Sequence, residues 1–78
     1  MIGVNRQHHE KYRKLGLNIA YYRKANKLSQ LQLAEKINIS RTHMSRIEMA
    51  DCAVSLDVIF ELCDVLNITP KQLFDFRE

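Results

Sequence analysis

Ser29-Gln30-Leu31-Gln32-Leu33-Ala34-Glu35-Lys36-Ile37-Asn38-Ile39-Ser40-Arg41-Thr42-His43-Met44-Ser45-Arg46-Ile47-Glu48 decides the fold of this chain. The stretch spells two short helices and a tight turn. Ser29 is a good N-cap, and Gln32 three residues on completes a capping box. Leu33, Ala34 and Ile37 recur at helical spacing. Asn38 tolerates the left-handed conformation that closes a helix, and Ser40 caps the next one after a single apolar step at Ile39.

On a wheel of 100° per residue, Met44 and Ile47 share one side of the second helix. Arg41, Thr42, Ser45 and Arg46 share the other, with His43 and Glu48 at the flanks. One face packs while the other presents two guanidiniums and two hydroxyls. That is the layout of a recognition helix in a helix-turn-helix unit.

Here the sequence resembles the phage-repressor and Cro type of helix-turn-helix, the XRE-like family. The likeness is carried by Arg23, Leu28-Ser29-Gln30, Leu33-Ala34, Ile39-Ser40, Met44-Ser45 and Ile47-Glu48. It continues more weakly through Ser55-Leu56, Ile59, Leu62, Leu66, Ile68 and Leu73-Phe74, so it spans residues 15–74. The resemblance implies that Arg41 and Arg46 stand where the family reads bases, which suits a fork that pairs with guanine O6 and N7. Thr42 and His43 complete the expected base-contacting set. Arg23, Ser29, Gln30, Ser40 and Ser45 are the expected phosphate contacts, and a helix N-terminus at Ser29-Gln30 favours an anion independently. The family also pairs an Arg with a Glu, which falls here on Arg23 and Glu48. Where the family usually carries Gly, basic residues and then Pro, this chain has Ala50, Asp51 and Val54. One common phosphate-binding element is thereby weakened.

Outward from this unit, residues 1–9 show no periodicity and are expected to form a flexible arm; residues 10–76 are the expected domain. Tyr12, Leu15, Ile19 and Tyr22 make the inward stripe of a first helix, with Leu17 and Tyr21 on a second stripe away from it. Gly16 costs that helix about 1 kcal/mol relative to Ala and is read as a position of close packing. Asn26 is the candidate C-cap. Ser55 caps a fourth helix whose apolar face is Leu56, Ile59, Leu62, Cys63 and Leu66. Thr69, Pro70 and Gln72 announce a short fifth, after which residues 75–78 should fray. The expected fold is an all-α, compact five-helix bundle of the phage-repressor DNA-binding-domain type.

Composition narrows the function. Seventy-eight residues fit one small domain. Residues 1–27 hold Arg6, Lys11, Arg13, Lys14, Arg23, Lys24 and Lys27 against Glu10, while residues 51–78 hold Lys71 and Arg77 against six acids. The chain thus runs from +6 to −4, and a basic half suits a polyanion. No apolar run approaches the roughly 18–20 residues of a membrane span, and a soluble, cytoplasmic chain without a signal peptide is expected. Cys52, Cys63, His8 and His9 lack metal-ligand spacing. No local catalytic signature appears either, so no catalytic residue, metal, cofactor or small-molecule ligand is predicted.

The function expected is a sequence-specific double-stranded DNA-binding regulator, repressor-like. It would act as a homodimer on a palindromic operator in a prokaryote or its phage. The dimer contact is expected near the start of the fourth helix and the fifth, where Val58, Phe74 and Phe76 lie. The other class weighed is a protein-interaction module, antitoxin-like or scaffold, for which Leu17, Tyr21, Val58 and Phe60 would be spare apolar surface.

Overall fold

The computed structural model describes residues 6–76. A 3₁₀ turn, Arg6–His8, leads into α1, His9–Ala25. The chain continues through α2, Gln30–Lys36, α3, Arg41–Glu48, α4, Leu56–Leu66, and α5, Pro70–Leu73. No strand occurs among the described residues. Residues 1–5 of the expected arm, and residues 77–78, lie outside the described part.

Hydroxyl caps set the starts of four helices. Ser29 accepts from Gln32 N, Ser40 from His43 N, Ser55 from Val58 N and Thr69 from Gln72 N. The Ser29–Gln32 and Thr69–Gln72 boxes are both closed reciprocally. Each cap is worth about 1 kcal/mol.

Helix ends are less orthodox. Asn38 and Asn67 take the left-handed conformation, as Asn can. Asn26 is the C-cap of α1, as expected, and stays right-handed; the left-handed residue is Lys27 just after it. The Asn26 side chain also turns its amide back to Tyr22 O and across to Leu66 O. Ala50 is also left-handed, at φ 60°. Lys27→Gly is expected to stabilise the fold by about 0.5–1 kcal/mol, because Gly pays no Cβ penalty there. Ala50→Gly should be near neutral, since Ala50 is buried and losing its methyl forfeits about 0.8 kcal/mol. Urea titration of the two variants checks the contrast.

One core joins the helices. Leu15 and Ile19 of α1 meet Leu33 and Ala34 of α2, Met44 and Ile47 of α3, and Ile59, Leu62, Cys63 and Leu66 of α4, with Ile37, Cys52 and Leu73 from the ends and loops. One expected core residue and one expected surface residue change places. Leu56, the first residue of α4, is 65% exposed because its turn overhangs the core. Val58 is half-buried against the core, so it is not spare surface.

Gly16 is the point on which the site is mounted. A Cβ built there would stand 2.9 Å from Ile47 O and closer still to the Glu48 carbonyl. Backbone therefore meets backbone where α1 crosses the end of α3.

Candidate nucleic-acid interface

α3 is held from behind and bare in front. Met44 and Ile47 are buried, Arg41, Thr42 and Arg46 are exposed, and His43 and Ser45 are half-buried. The wheel reading of the sequence thus holds on this helix except at Ser45, which was placed on the outward face and is half-buried. The Ser45 hydroxyl lies 3.8 Å from Met49 Sδ, a weak contact across the last turn.

The end of α3 is tied to α1 and α2 through one carboxylate. Arg23 Nε donates to Glu48 Oε2 at 2.7 Å and Nη2 to Oε1 at 3.1 Å. Arg23 Nη1 donates to Leu28 O at 2.9 Å, closing the turn before α2. The pair's side chains are only 11% and 6% exposed. The expected Arg23–Glu48 partnership is present, and such buried pairing fixes geometry more than it adds net stability.

Gln30 enters the same network. Its Nε2 donates to Glu48 Oε1 at 3.0 Å. That hydrogen bond orients the amide and leaves one of its two N–H groups uncommitted. The Ser29 and Ser40 oxygens are engaged as cap acceptors, and their hydroxyl protons remain available to an acceptor outside.

Lys24 and Lys27 were counted in the basic half but not assigned to the site. Both are exposed at the turn that delivers Ser29 and Gln30, and no acidic partner meets either of them among the described residues. Arg23, by contrast, is matched by Glu48. The uncompensated positive charge on this side thus comes from Lys24, Lys27, Arg41 and Arg46. The signal for the lysines was their place just ahead of the α2 cap.

Other chemistry is sparse. Cys52 and Cys63 are free thiols in the core, and burial pushes both pKa values up, away from reactive thiolate. Among the described residues no group of three or more His, Cys, Asp or Glu could hold a metal ion, and no helix is long and apolar enough to cross a membrane. The Arg13 guanidinium holds the exposed Glu10 carboxyl below its ordinary range by hydrogen bonding, at a point remote from α3 in sequence.

Comparison with known proteins gives the same picture from outside. A family model described as helix-turn-helix matches residues 19–73. The restriction-modification controller protein C.AhdI from Aeromonas hydrophila superposes with a TM-score of 0.80 at 32% identity, over 85% of this chain and 96% of that one. Control protein C.BamHI of Bacillus amyloliquefaciens is 41% identical over 49 residues, 63% of this chain and 60% of that protein. Antitoxin PezA of Streptococcus pneumoniae is 36% identical over 55 residues, 70% of this chain but 35% of that protein. This chain therefore spans between about a third and three fifths of the two curated relatives. A Neisseria structure titled as a hypothetical transcription factor shares the fold at a TM-score of 0.76 and 23% identity.

Proposed function

The chain belongs to the helix-turn-helix family of the phage-repressor, XRE-like type, a family of DNA-binding regulators, and on that premise we propose that it reads a specific duplex site with α3 in the major groove. The observation that carries this reading is the exposed set Arg41, Thr42 and Arg46 on a helix whose other side is locked into the core. Arg41 and Arg46 take base edges, Thr42 a base or a thymine methyl, and His43 the margin of that face. Arg23, Ser29, Gln30, Ser40 and Ser45 hold phosphates, with the free Gln30 N–H and the serine hydroxyls as donors.

A module this small buries limited surface on DNA, so the protein acts in the cytoplasm as a homodimer on a palindromic operator. C.AhdI is described as a restriction-modification controller, and it is matched over nearly its whole length. The antitoxin is matched over a third of its own. That difference favours control of a restriction-modification locus over a role as a toxin's partner.

Reading and holding separate experimentally. Arg41→Ala and Arg46→Ala should each weaken binding to the site selected from a random duplex pool by about 1–3 kcal/mol and relax base preference there. Gln30→Ala should weaken all duplexes alike and leave the salt slope nearly unchanged, because the contact it removes is uncharged. Competition titrations against selected and scrambled duplexes at two salt concentrations measure both. Full site preference in both Arg variants would remove α3 as the reading element and move the interaction-module reading ahead.

A further inference from the structure

Met49 carries no charge and holds nothing in the core, yet it stands at the centre of the outward face of α3. The helix closes at Glu48, but Met49 N still donates to Ser45 O at 3.0 Å, so position 49 keeps the helical register. The chain leaves that register only at Ala50, whose left-handed φ of 60° turns it away, with Asp51 N closing back on Arg46 O at 2.8 Å. Counted from Arg41 at about 100° per residue, Ser45 falls at about 40°, Met49 at about 80°, Thr42 at about 100° and Arg46 at about 140°. The buried pair Met44 and Ile47 centres at about 270°, so Met49 lies within about 10° of the direction straight away from the core.

Side chains on a helix lean toward its N-terminus, over the preceding turn. Met49 does so, and its Sδ receives the Ser45 hydroxyl at 3.8 Å. The thioether therefore lies back along the outward face, over a residue between Arg41 and Arg46, and not off the end of the helix. At 66% it is the most exposed large apolar side chain among the described residues, and none of the others stands on α3. A single exposed apolar residue is ordinary; what gives this one a task is its place on a face that meets a groove.

We infer that Met49 is a specificity-determining residue that takes the 5-methyl group of a thymine in the bound site. The inference rests on the reading by α3 proposed above and adds a contact of a different kind. The guanidiniums of Arg41 and Arg46 suit the O6 and N7 acceptors of guanine, and neither rewards a methyl group. Thymine presents one in the major groove, where only apolar contact can read it. Thr42 offers a single methyl held close to the backbone. Met49 offers an unbranched, polarisable chain that can follow the methyl it meets. Contact between the two removes apolar surface of both from water.

Uracil differs from thymine only in lacking that methyl. Each thymine of the site selected from a random duplex pool is therefore replaced by uracil in turn, and the duplexes are titrated with wild type, Met49→Ala and Met49→Gln. Met49→Gln keeps the length of the side chain and exchanges its apolar end for an amide. Met49 lies outside the core, so both variants should melt as wild type does. Expected is at least one thymine at which uracil weakens wild-type binding about fourfold, the worth of one buried methyl. Both variants should bind the thymine and uracil duplexes equally well at that position, as a direct contact between the two groups requires.

Wild-type binding that tolerates uracil at every position overturns the role of Met49, as does a uracil cost that persists in either variant. A selected site without thymine overturns it equally. Met49→Ala that weakens selected and scrambled duplexes alike would make the residue a backbone contact and overturn its part in specificity. All of these leave the reading by α3 standing as long as Arg41→Ala and Arg46→Ala relax base preference. If neither does, that reading falls first and the methyl contact falls with it.

Discussion

Glu48→Ala is expected to cost the fold about 3–5 kcal/mol, the usual loss when one partner of a buried ion pair is removed. Arg23 would keep its charge at 11% side-chain exposure with only the Leu28 carbonyl left to receive it. Gln30 would lose its partner in the same stroke. Stability on this scale is a large fraction of what a domain of this size possesses. Replacing both Arg23 and Glu48 by apolar residues of similar volume should recover much of the loss, because the desolvation of two charges disappears with them. A denaturant titration of the single and double variants measures both numbers. A Glu48→Ala midpoint within a few tenths of a kcal/mol of wild type would mean the pair holds nothing together.

Gly16→Ala tests a sign. In an exposed helix interior the change would add about 1 kcal/mol of stability through helix propensity. Here the new methyl runs into the Glu48 carbonyl and Ile47 O, which are backbone atoms with no rotamer to change. Overpacking of this kind costs about 1–3 kcal/mol and occasionally more, and the absence of a flexible neighbour puts this site at the upper end. The net expectation is a loss of about 2–3 kcal/mol, together with weaker binding to every duplex as α3 is pushed off α1. A melting curve at or above wild type would show that the two helices can part without penalty.

Much of this was legible because it is written locally. Ser29 with Gln32, Ser40, Ser55 and Thr69-Pro70-Gln72 mark four helix starts, and each was found where the sequence puts it. The split of α3 into a buried Met44–Ile47 side and an exposed arginine side follows from periodicity alone. Gly16 was read as a close approach, though only the fold reveals that the neighbour is the Glu48 backbone.

What escaped depends on partners distant in sequence. Asn18 resembles any polar residue on a helix flank until the end of α5 comes back to it; its Nδ2 donates to Leu73 O and Asp75 O, so a segment expected to fray is fastened to α1. Gln30 pointed to phosphate by family likeness, and nothing local revealed that Glu48 also holds it. Leu56 matched the wheel of α4 yet lies outside, because a wheel knows angle but not where the neighbouring helices stop. Asn26 caps α1 as the sequence suggests, but nothing local marks the next residue, Lys27, as left-handed, since it carries that conformation without the usual chemistry.

The hydroxyl caps at the starts of α2 to α5 have a kinetic consequence. Helix boundaries settled within four residues leave little for the chain to search, and all-helical domains of this kind fold in microseconds to milliseconds. In the homodimer proposed above, meeting a second copy would be slower: at a typical on-rate of about 10⁶ M⁻¹ s⁻¹ and a concentration on the order of 0.1 μM, pairing would take roughly ten seconds. Newly made chains would then wait for each other and not for themselves. On that proposal the delay would shorten as copies accumulate, and the onset of regulation would be timed by how many molecules the cell has made.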